Sequence, residues 1–286
     1  MVSRSVLFEE CIKALENSGN PDARFDALCI FQDMLNETHP LFLPSKLVEE
    51  SAEKKIRELT VKRCSGYPLQ YLLGQWEFFG YPIKVGEGVL IPRPDTETLV
   101  EQILDICRKN NFESPAIADL CSGSGCIAIA LKKHIPDAKV YAVELSEEAL
   151  KYLRQNVRLN STDIHIIQGN VLDEDFSRSF SGLDIIVSNP PYLTGEEMQS
   201  LQTEVSYEPE KALYGGTDGL DFYRRMTALW KDSLKTGGWL AYEFGMGQHN
   251  AVKEILENNS FTDIELRIDG GRIIRTAAGR KHQEEE

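Results

Sequence analysis

The sequence predicts an α/β protein: a doubly wound, mostly parallel sheet with helices on both faces, preceded by a small helical bundle. Three observations predict it. From Ser114 onward, short β-branched runs alternate with amphipathic helical segments, the pattern of a parallel sheet covered on both sides. A loop of small residues, "CSGSGC", follows the first of those runs and opens a helix. The first roughly 70 residues carry helical periodicity instead.

In the bundle, "VLFEECIKAL" places Leu7, Cys11, Ala14 and Leu15 on one face of a first helix. "NSGNPD" interrupts it, with Pro21 positioned to start the next helix. "RFDALCIFQDML" repeats the pattern through Phe25, Leu28, Phe31 or Gln32, and Leu35. After a loop at "THPLFLP", Ser45 is the expected N-cap of a third helix that runs to about Cys64, before Gly66. A bundle of this size is marginal alone and needs a neighbour.

The texture changes between Tyr67 and Pro94. "QWEFFGYPIKV" is aromatic and β-branched around a glycine, which predicts a hairpin. "IPRPDTETLVEQILDIC" leads into a helix with Leu99, Ile103 and Ile106 inward and Asp95 or Thr96 as cap. The expected division is 1–70 for the helical part, 71–94 for a hairpin linker and 95–286 for the α/β domain. Its strands are "AIADLC", "KVYAVEL", "DIHIIQG", "LDIIVSN", "WLAYEFG", "IELRID" and "RIIRTAA". The last two are separated by a short "GG" turn and should pair antiparallel. "RKHQEEE" is expected to fray.

Composition narrows the function. Hydrophobic residues make up 42% and charged residues 27%, as in globular proteins, and no apolar run approaches a membrane span. The N-terminus does not have the pattern of a signal peptide. A formal net charge of −14 argues against nucleic acid, whose phosphates are bound mainly by Lys and Arg. The six cysteines form no C-x-x-C pair and no zinc-like spacing, so no metal, reduced thiols and a cytoplasmic location are expected.

The loop Cys121–Gly125 suits a nucleoside-containing ligand. Gly123 and Gly125 let backbone approach closely, and the helix N-terminus favours negative charge. Glu144 stands 19 residues after Gly125 at the end of the next strand, where a carboxylate accepts both hydroxyl protons of a ribose. A tight turn beside a surface acid is the plain alternative, and at this stage a nicotinamide-linked dehydrogenase remains a rival.

"LDIIVSNPPY" discriminates. Two prolines after a strand are ordinary punctuation. Here, however, the strand end puts Asn189 on the ligand-facing edge beside the glycine loop. An amide or base-amine nitrogen is a weak nucleophile because its lone pair is delocalised. Acceptors that hold its N–H groups orient that lone pair and offset the growing positive charge. The Asn189 side-chain oxygen and the Pro190 carbonyl are such acceptors, Pro190 and Pro191 stiffen the loop, and Tyr192 offers a flat face. Catalysis is then chiefly alignment of nitrogen, methyl carbon and sulfonium at roughly 3–3.5 Å.

With these motifs the sequence resembles the release-factor glutamine methyltransferases, the HemK/PrmC family. The resemblance spans nearly the whole chain: "GYPLQYLLGQWEFFGYPIKVGEGVLIPRPDTETLVE", "DLCSGSGCIAIAL", "AVELSEEAL", "SNPPYL", "YEPEKALYGGTDGLDFYRRM" and "LKTGGWLAYEFGMGQ". "NPPY" is shared with amino-methyltransferases of DNA and RNA; "IPRP" and "EPEKALYGGTDGLDFYR" narrow it. The resemblance implies a seven-stranded, Rossmann-like class I methyltransferase domain with its last strand antiparallel, and S-adenosylmethionine as methyl donor, released as S-adenosylhomocysteine. The implied acceptor is the glutamine of the Gly-Gly-Gln motif in peptide chain release factors. A ribosomal-protein glutamine or an exocyclic amine of DNA or RNA is the alternative. It implies that Cys121, Ser122, Gly123, Ser124 and Gly125 surround the methionine part of the cofactor, and that Glu144 holds the ribose. Asn170 and Val171 then lie at the adenine, and Asn189, Pro190, Pro191 and Tyr192 bind the glutamine, with Asn189 also near the cofactor. The N-terminal domain helps hold the release factor, and a monomer is expected. One departure is Cys121, where the family loop begins with glycine; cysteine disfavours φ > 0, so the backbone path there is open.

Other residues carry less. Arg93 suits a salt bridge fastening the linker as well as it suits a ligand contact. "YGGTDGLDFYRR" is expected to pack near the site and to start a helix after Asp218. Cys121 and Cys126 are expected to be free thiols.

Overall fold

The computed structural model describes residues 2–282, which form two compact units. The first comprises residues up to Gln75 together with Gln202–Tyr207. It holds α1 (Arg4–Asn17), α2 (Ala23–Leu35), α3 (Glu50–Cys64) and the short α4 (Leu69–Leu73). Leu7, Cys11 and Leu15 of α1 face inward as expected, joined by Phe8 and Ile12, while Ala14 is exposed. The face predicted for α2 is wrong by part of a turn. Phe31 is buried as expected, but Phe25 is 53% exposed and Leu28 and Leu35 are half-buried, and Ala23, Asp26, Ala27 and Ile30 are buried instead. The rotation has an electrostatic reason: Asp26 turns inward to take the Arg63 Nε donor at 2.5 Å, and Arg63 also pairs with Glu204. Ser45 does not cap α3, which begins five residues later. Residues 46–48 are drawn out along residues 2–4, with Arg4 N–H donating to Lys46 O and Val48 N–H to Val2 O, both at 2.9 Å.

The second unit is Trp76–Leu201 with the chain from Glu208 onward. β1 (Gln75–Phe78) and β2 (Tyr81–Lys84) make the expected hairpin, and its two turn residues, Phe79 and Gly80, both have positive φ, at 52° and 78°. The expected linker is fastened to this unit: Phe79 N–H donates to Glu97 at 2.7 Å, and Lys84 N–H donates to Asn156 Oδ1 at 2.7 Å. A 3₁₀ turn at Pro94–Thr96 leads into α5 (Glu97–Lys109). Then come β3 (Ala116–Leu120), α6 (Cys126–His134), β4 (Lys139–Glu144), α7 (Glu147–Leu159), β5 (Ile164–Gln168), α8 (Glu174–Arg178) and β6 (Leu183–Ser188). α9 (Gly195–Gln199), α10 (Asp221–Trp230), β7 (Leu234–Glu243), α11 (His249–Asn258), β8 (Phe261–Ile268) and β9 (Ile274–Lys281) complete it. α8 and α9 were not expected. Arg280 and Lys281, expected to fray, belong to β9; residues 283–286 lie outside the described part.

The large sheet has the order β5-β4-β3-β6-β7-β9-β8. β3 to β7 run parallel, and β9 is antiparallel to both β7 and β8. The chain winds outward from β3 to β5, then returns to place β6 on the other side of β3. That reversal leaves a crevice beyond the carboxyl ends of β3 and β6, where doubly wound folds bind ligands. Val187, Leu240 and Ala241 are fully buried, so the strands beside the crevice are held on both faces. No helix among the described residues is long and apolar enough to cross a membrane.

Candidate active site

The glycine loop follows β3. Cys121, Gly123 and Gly125 have φ of 62°, 54° and 82°, three left-handed residues within five. Cys121 therefore keeps the path for which a glycine is suited, and its side chain packs on the hydrophobic core; burial pushes its thiol pKa up. Ser122 Oγ donates to Asp119 O at 2.7 Å and Gly125 N–H to Ser122 O at 2.8 Å, which closes the turn. A Cβ on Gly125 would stand 2.2 Å from Leu153, whereas one on Gly123 would meet nothing within 4 Å, so the loop is open on the crevice side. Asn156, fully buried on α7, fixes the loop from behind by donating to Ser124 O at 2.9 Å. Glu144 spans from β4 to the loop: Oε2 accepts from Gly123 N–H, and Oε1 from Leu145 and Ser146 N–H, at 2.7–2.8 Å. All six cysteines, Cys121 and Cys126 included, are free thiols.

Asn189 to Tyr192 follow β6, directly beside that loop because β3 and β6 are neighbours. Pro190 and Pro191 are buried, and Asn189 and Tyr192 are half-buried. The Asn189 amide Nδ2 donates to Thr96 Oγ1 at 3.2 Å. Thr96 thus does not cap α5 by its side chain, as the sequence suggested; its hydroxyl is turned to Asn189. The loop is clamped from two sides. Gly215 lies so close that a Cβ would stand 2.6 Å from both Pro191 O and Tyr192 Cα. Gln248 Nε2 donates to Tyr192 O at 3.0 Å, while its Oε1 accepts from Gly245 N–H at 2.9 Å. Gly245 itself lets the Tyr192 ring approach, since its Cβ would meet Tyr192 Cδ2 at 3.2 Å. The "YGGTDG" loop therefore packs on the site as expected, and the helix expected after Asp218 starts at Asp221.

Two buried acids were missed. Asp119 on β3 is fully buried; Oδ2 accepts from Ala128 N–H at 3.2 Å, and Oδ1 has no hydrogen-bond partner. Burial pushes its pKa up to about 8. Glu243, the last residue of β7, is 2% exposed with Oε2 unpartnered. Burial pushes it up to about 7, against the pull of Thr96, Arg275 and Asn189. An unpartnered carboxylate oxygen in the interior is costly unless a cation or donor completes it. Their signal in the sequence is a lone acid inside an apolar strand, "AIADL" and "WLAYEF".

The remaining expected residues fall into place unevenly. Val171 is buried, and its carbonyl accepts the Trp230 indole N–H at 2.8 Å. Asn170 is exposed and turns its oxygen to Leu172 N–H at 3.0 Å. Arg93 pairs with Glu208, whose other oxygen accepts from Ile91 N–H at 3.0 Å, so the salt bridge describes it.

An open glycine cradle, an acid on the next strand, two buried acids suited to a cationic ligand and a rigid Asn-Pro-Pro-Tyr loop define an S-adenosylmethionine-dependent methyltransferase. Comparison with known proteins agrees. Residues 95–216 match the methyltransferase small domain, and residues 7–74 match the PrmC N-terminal domain. A release factor glutamine methyltransferase of Fusobacterium nucleatum is 38% identical over 96% of this chain and 78% of its own. One of Clostridium acetobutylicum is 41% identical over 80% of each chain. The crystal structure of a methyltransferase from Pyrococcus furiosus shares the fold with a TM-score of 0.54 at 18% identity, covering 81% of this chain and 100% of that one. The chain belongs to the release factor glutamine methyltransferase family.

Proposed function

We propose that the protein transfers a methyl group from S-adenosylmethionine to the side-chain amide nitrogen of the glutamine in the Gly-Gly-Gln motif of peptide chain release factors. The observation that carries the site assignment is the Asn189–Thr96 hydrogen bond. It occupies the nitrogen end of the Asn189 amide, so Oδ1 is the end proposed to accept, together with the Pro190 carbonyl.

Asn189 Oδ1 and Pro190 O accept the two N–H groups of the glutamine amide, turning its lone pair toward the crevice and offsetting the positive charge that develops on nitrogen. Pro190 and Pro191, held by Gly215 and Gln248, keep the two acceptors still, so alignment is built before the substrate arrives. Tyr192 lies against the planar amide, and burial keeps its phenol protonated. Cys121–Gly125 and Glu144 suit the methionine part and ribose of S-adenosylmethionine, with Asn170 and Val171 at its adenine. Bound there, S-adenosylmethionine supplies an electrophilic methyl group and leaves as S-adenosylhomocysteine. Asp119, beneath the loop, is the proposed partner for a cationic ligand, whose charge would draw the buried carboxyl to its ionised form.

The helical unit is the proposed contact surface for the release factor. The chain is proposed to act as a cytoplasmic monomer, for which six free thiols are suited. A charge of −14 disfavours an exocyclic base amine as acceptor. Incubation with labelled S-adenosylmethionine and a release factor, followed by peptide mapping, tests the assignment; label anywhere but the Gly-Gly-Gln glutamine overturns it. Asn189→Ala should lower kcat at least about 100-fold with cofactor affinity within about threefold. Equal losses in both would make Asn189 a cofactor residue.

A further inference from the structure

The Asn189 carboxamide has two ends of similar shape and opposite polarity, and only the oxygen end accepts a substrate N–H. Whatever fixes the flip of this side chain fixes whether the site works. The bond to Thr96 does not choose by itself, because a hydroxyl both donates and accepts. With its proton aimed elsewhere, Thr96 Oγ1 accepts from Asn189 Nδ2; with its proton aimed at Asn189, the same hydroxyl would hold the reverse flip. The choice passes to the group that takes the Thr96 proton.

Glu243 stands at that place. β6 and β7 run parallel with Ser188 paired to Tyr242, so Asn189, just past the end of β6, and Glu243, the last residue of β7, each come one position further on. The Glu243 carboxylate lies against both the Thr96 hydroxyl and the Asn189 amide, is almost wholly buried, and has Oε2 unpartnered. We infer that Glu243, acting on the Asn189 amide directly and through Thr96, is a positioning residue that sets the flip of the Asn189 carboxamide. As a carboxylate it only accepts, so it takes the Thr96 proton and leaves the oxygen lone pair to Asn189 Nδ2. As a carboxylic acid it donates to Thr96 Oγ1, which frees the hydroxyl proton for Asn189 Oδ1 and turns the amide round. This rests on the reading of Asn189 Oδ1 as the acceptor for the glutamine amide.

The groups facing Glu243 set where this switch falls. Arg275 on β9, Thr96 and Asn189 favour its charged form; burial and Asp95 oppose it, and the balance is near neutrality, at about 7. Tyr192, Tyr223 and Cys126 are its other titratable neighbours, all with pKa values raised by burial and further by Glu243, so they remain uncharged. The Tyr223 hydroxyl donates to Glu243 O at 2.9 Å and holds the backbone. The active form is deprotonated, so turnover rises with pH through that value.

Two readouts test the relay. The first is the pH profile of kcat on a release factor with saturating S-adenosylmethionine. Wild type and Thr96→Ser should lose turnover about tenfold per pH unit below about 7. Glu243→Gln should be flat in pH and lower in kcat by about 10- to 100-fold, with KM for the release factor within about threefold; Thr96→Val, which keeps Glu243 against the Asn189 amide, should lower kcat and keep an acid limb. Glu243→Asp should restore an acid limb. A wild-type acid limb retained in Glu243→Gln, or kcat there within about twofold, overturns the relay. The second readout needs no turnover: the side-chain NH2 signal of Asn189 in ¹⁵N NMR, assigned by its loss in Asn189→Ala. It should shift with a midpoint near neutrality in wild type and stay fixed in Glu243→Gln; a signal that does not titrate overturns the relay. A titrating signal in a wild-type protein that methylates no release factor supports the relay and sinks the glutamine reading.

Discussion

Gly215→Ala offers a direct measure of how much this site depends on placement. Gly215 has no positive φ, so a methyl group introduces no backbone strain there; its effect is steric. The new Cβ would stand 2.6 Å from Pro191 O and from Tyr192 Cα, against about 3.4 Å for ordinary contact, so something must yield by about 0.8 Å. Both obstacles are backbone atoms of the stiff Asn-Pro-Pro-Tyr loop, with no flexible side-chain end to move aside. A misplacement near 1 Å costs on the order of 10²-fold in rate when catalysis is alignment. Turnover on a release factor should therefore fall about 10- to 100-fold. Affinity for S-adenosylhomocysteine, measured by calorimetry, should change by less than about threefold, because the glycine loop is untouched. Gly195→Ala is the control: it lies at the far end of the same stretch, where a Cβ meets nothing within 4 Å, and should retain wild-type turnover. If Gly215→Ala turns over within about twofold of wild type, the loop is compliant and preorganisation is not its role.

Two further outcomes follow from the glycine loop and its buried acid. Cys121→Gly removes a left-handed φ of 62° from a residue with a Cβ, whereas Cys121→Ala removes the sulfur and keeps the strain, so by denaturant titration the glycine variant should be the more stable by about 1 kcal/mol. Equal stabilities would mean the surrounding contacts absorb that strain. Asp119 binds its proton more tightly folded than unfolded, since burial raises it from 3.8 to about 8. Its contribution to stability is thus lost as pH rises from about 4 to 8, and the gap between Asp119→Asn and wild type without ligand should widen in favour of the variant over that range. A gap independent of pH would contradict the raised value.

The alternating half of the chain was legible because its signals are local. Most strand, loop and helix boundaries from "AIADLC" to "NAVKEILEN" fall within a few residues of those observed, although β7 begins at Leu234, inside the segment expected to be helix, and α8 and α9 were not expected. The bundle was less legible where a distant partner overrides local periodicity. α2 turns Asp26 inward for Arg63, 37 residues away, and Ser45 loses its cap role because residues 46–48, which follow it, pair with residues 2–4. Thr96 looked like a cap by position, but its hydroxyl serves a residue 93 positions later. Asp119 and Glu243 escaped notice for the same reason. An acid in a strand buried on both faces has meaning only once the neighbouring strand and its ligand are known.

Arg63 carries a consequence for the order in which this protein is made. Its side chain is 6% exposed and is held by Asp26 from its own bundle and by Glu204, which is synthesised 141 residues later. A ribosome that has released the three helices has therefore released a bundle whose buried guanidinium has Asp26 at Nε but still lacks its partner at Nη2. Until the chain has been extended past β6 and α9, residues 1–75 carry that deficit, and a nascent fragment of that length should be trapped by chaperones or cleaved more readily than the finished unit. The small N-terminal unit is thus first in sequence but among the last to be completed.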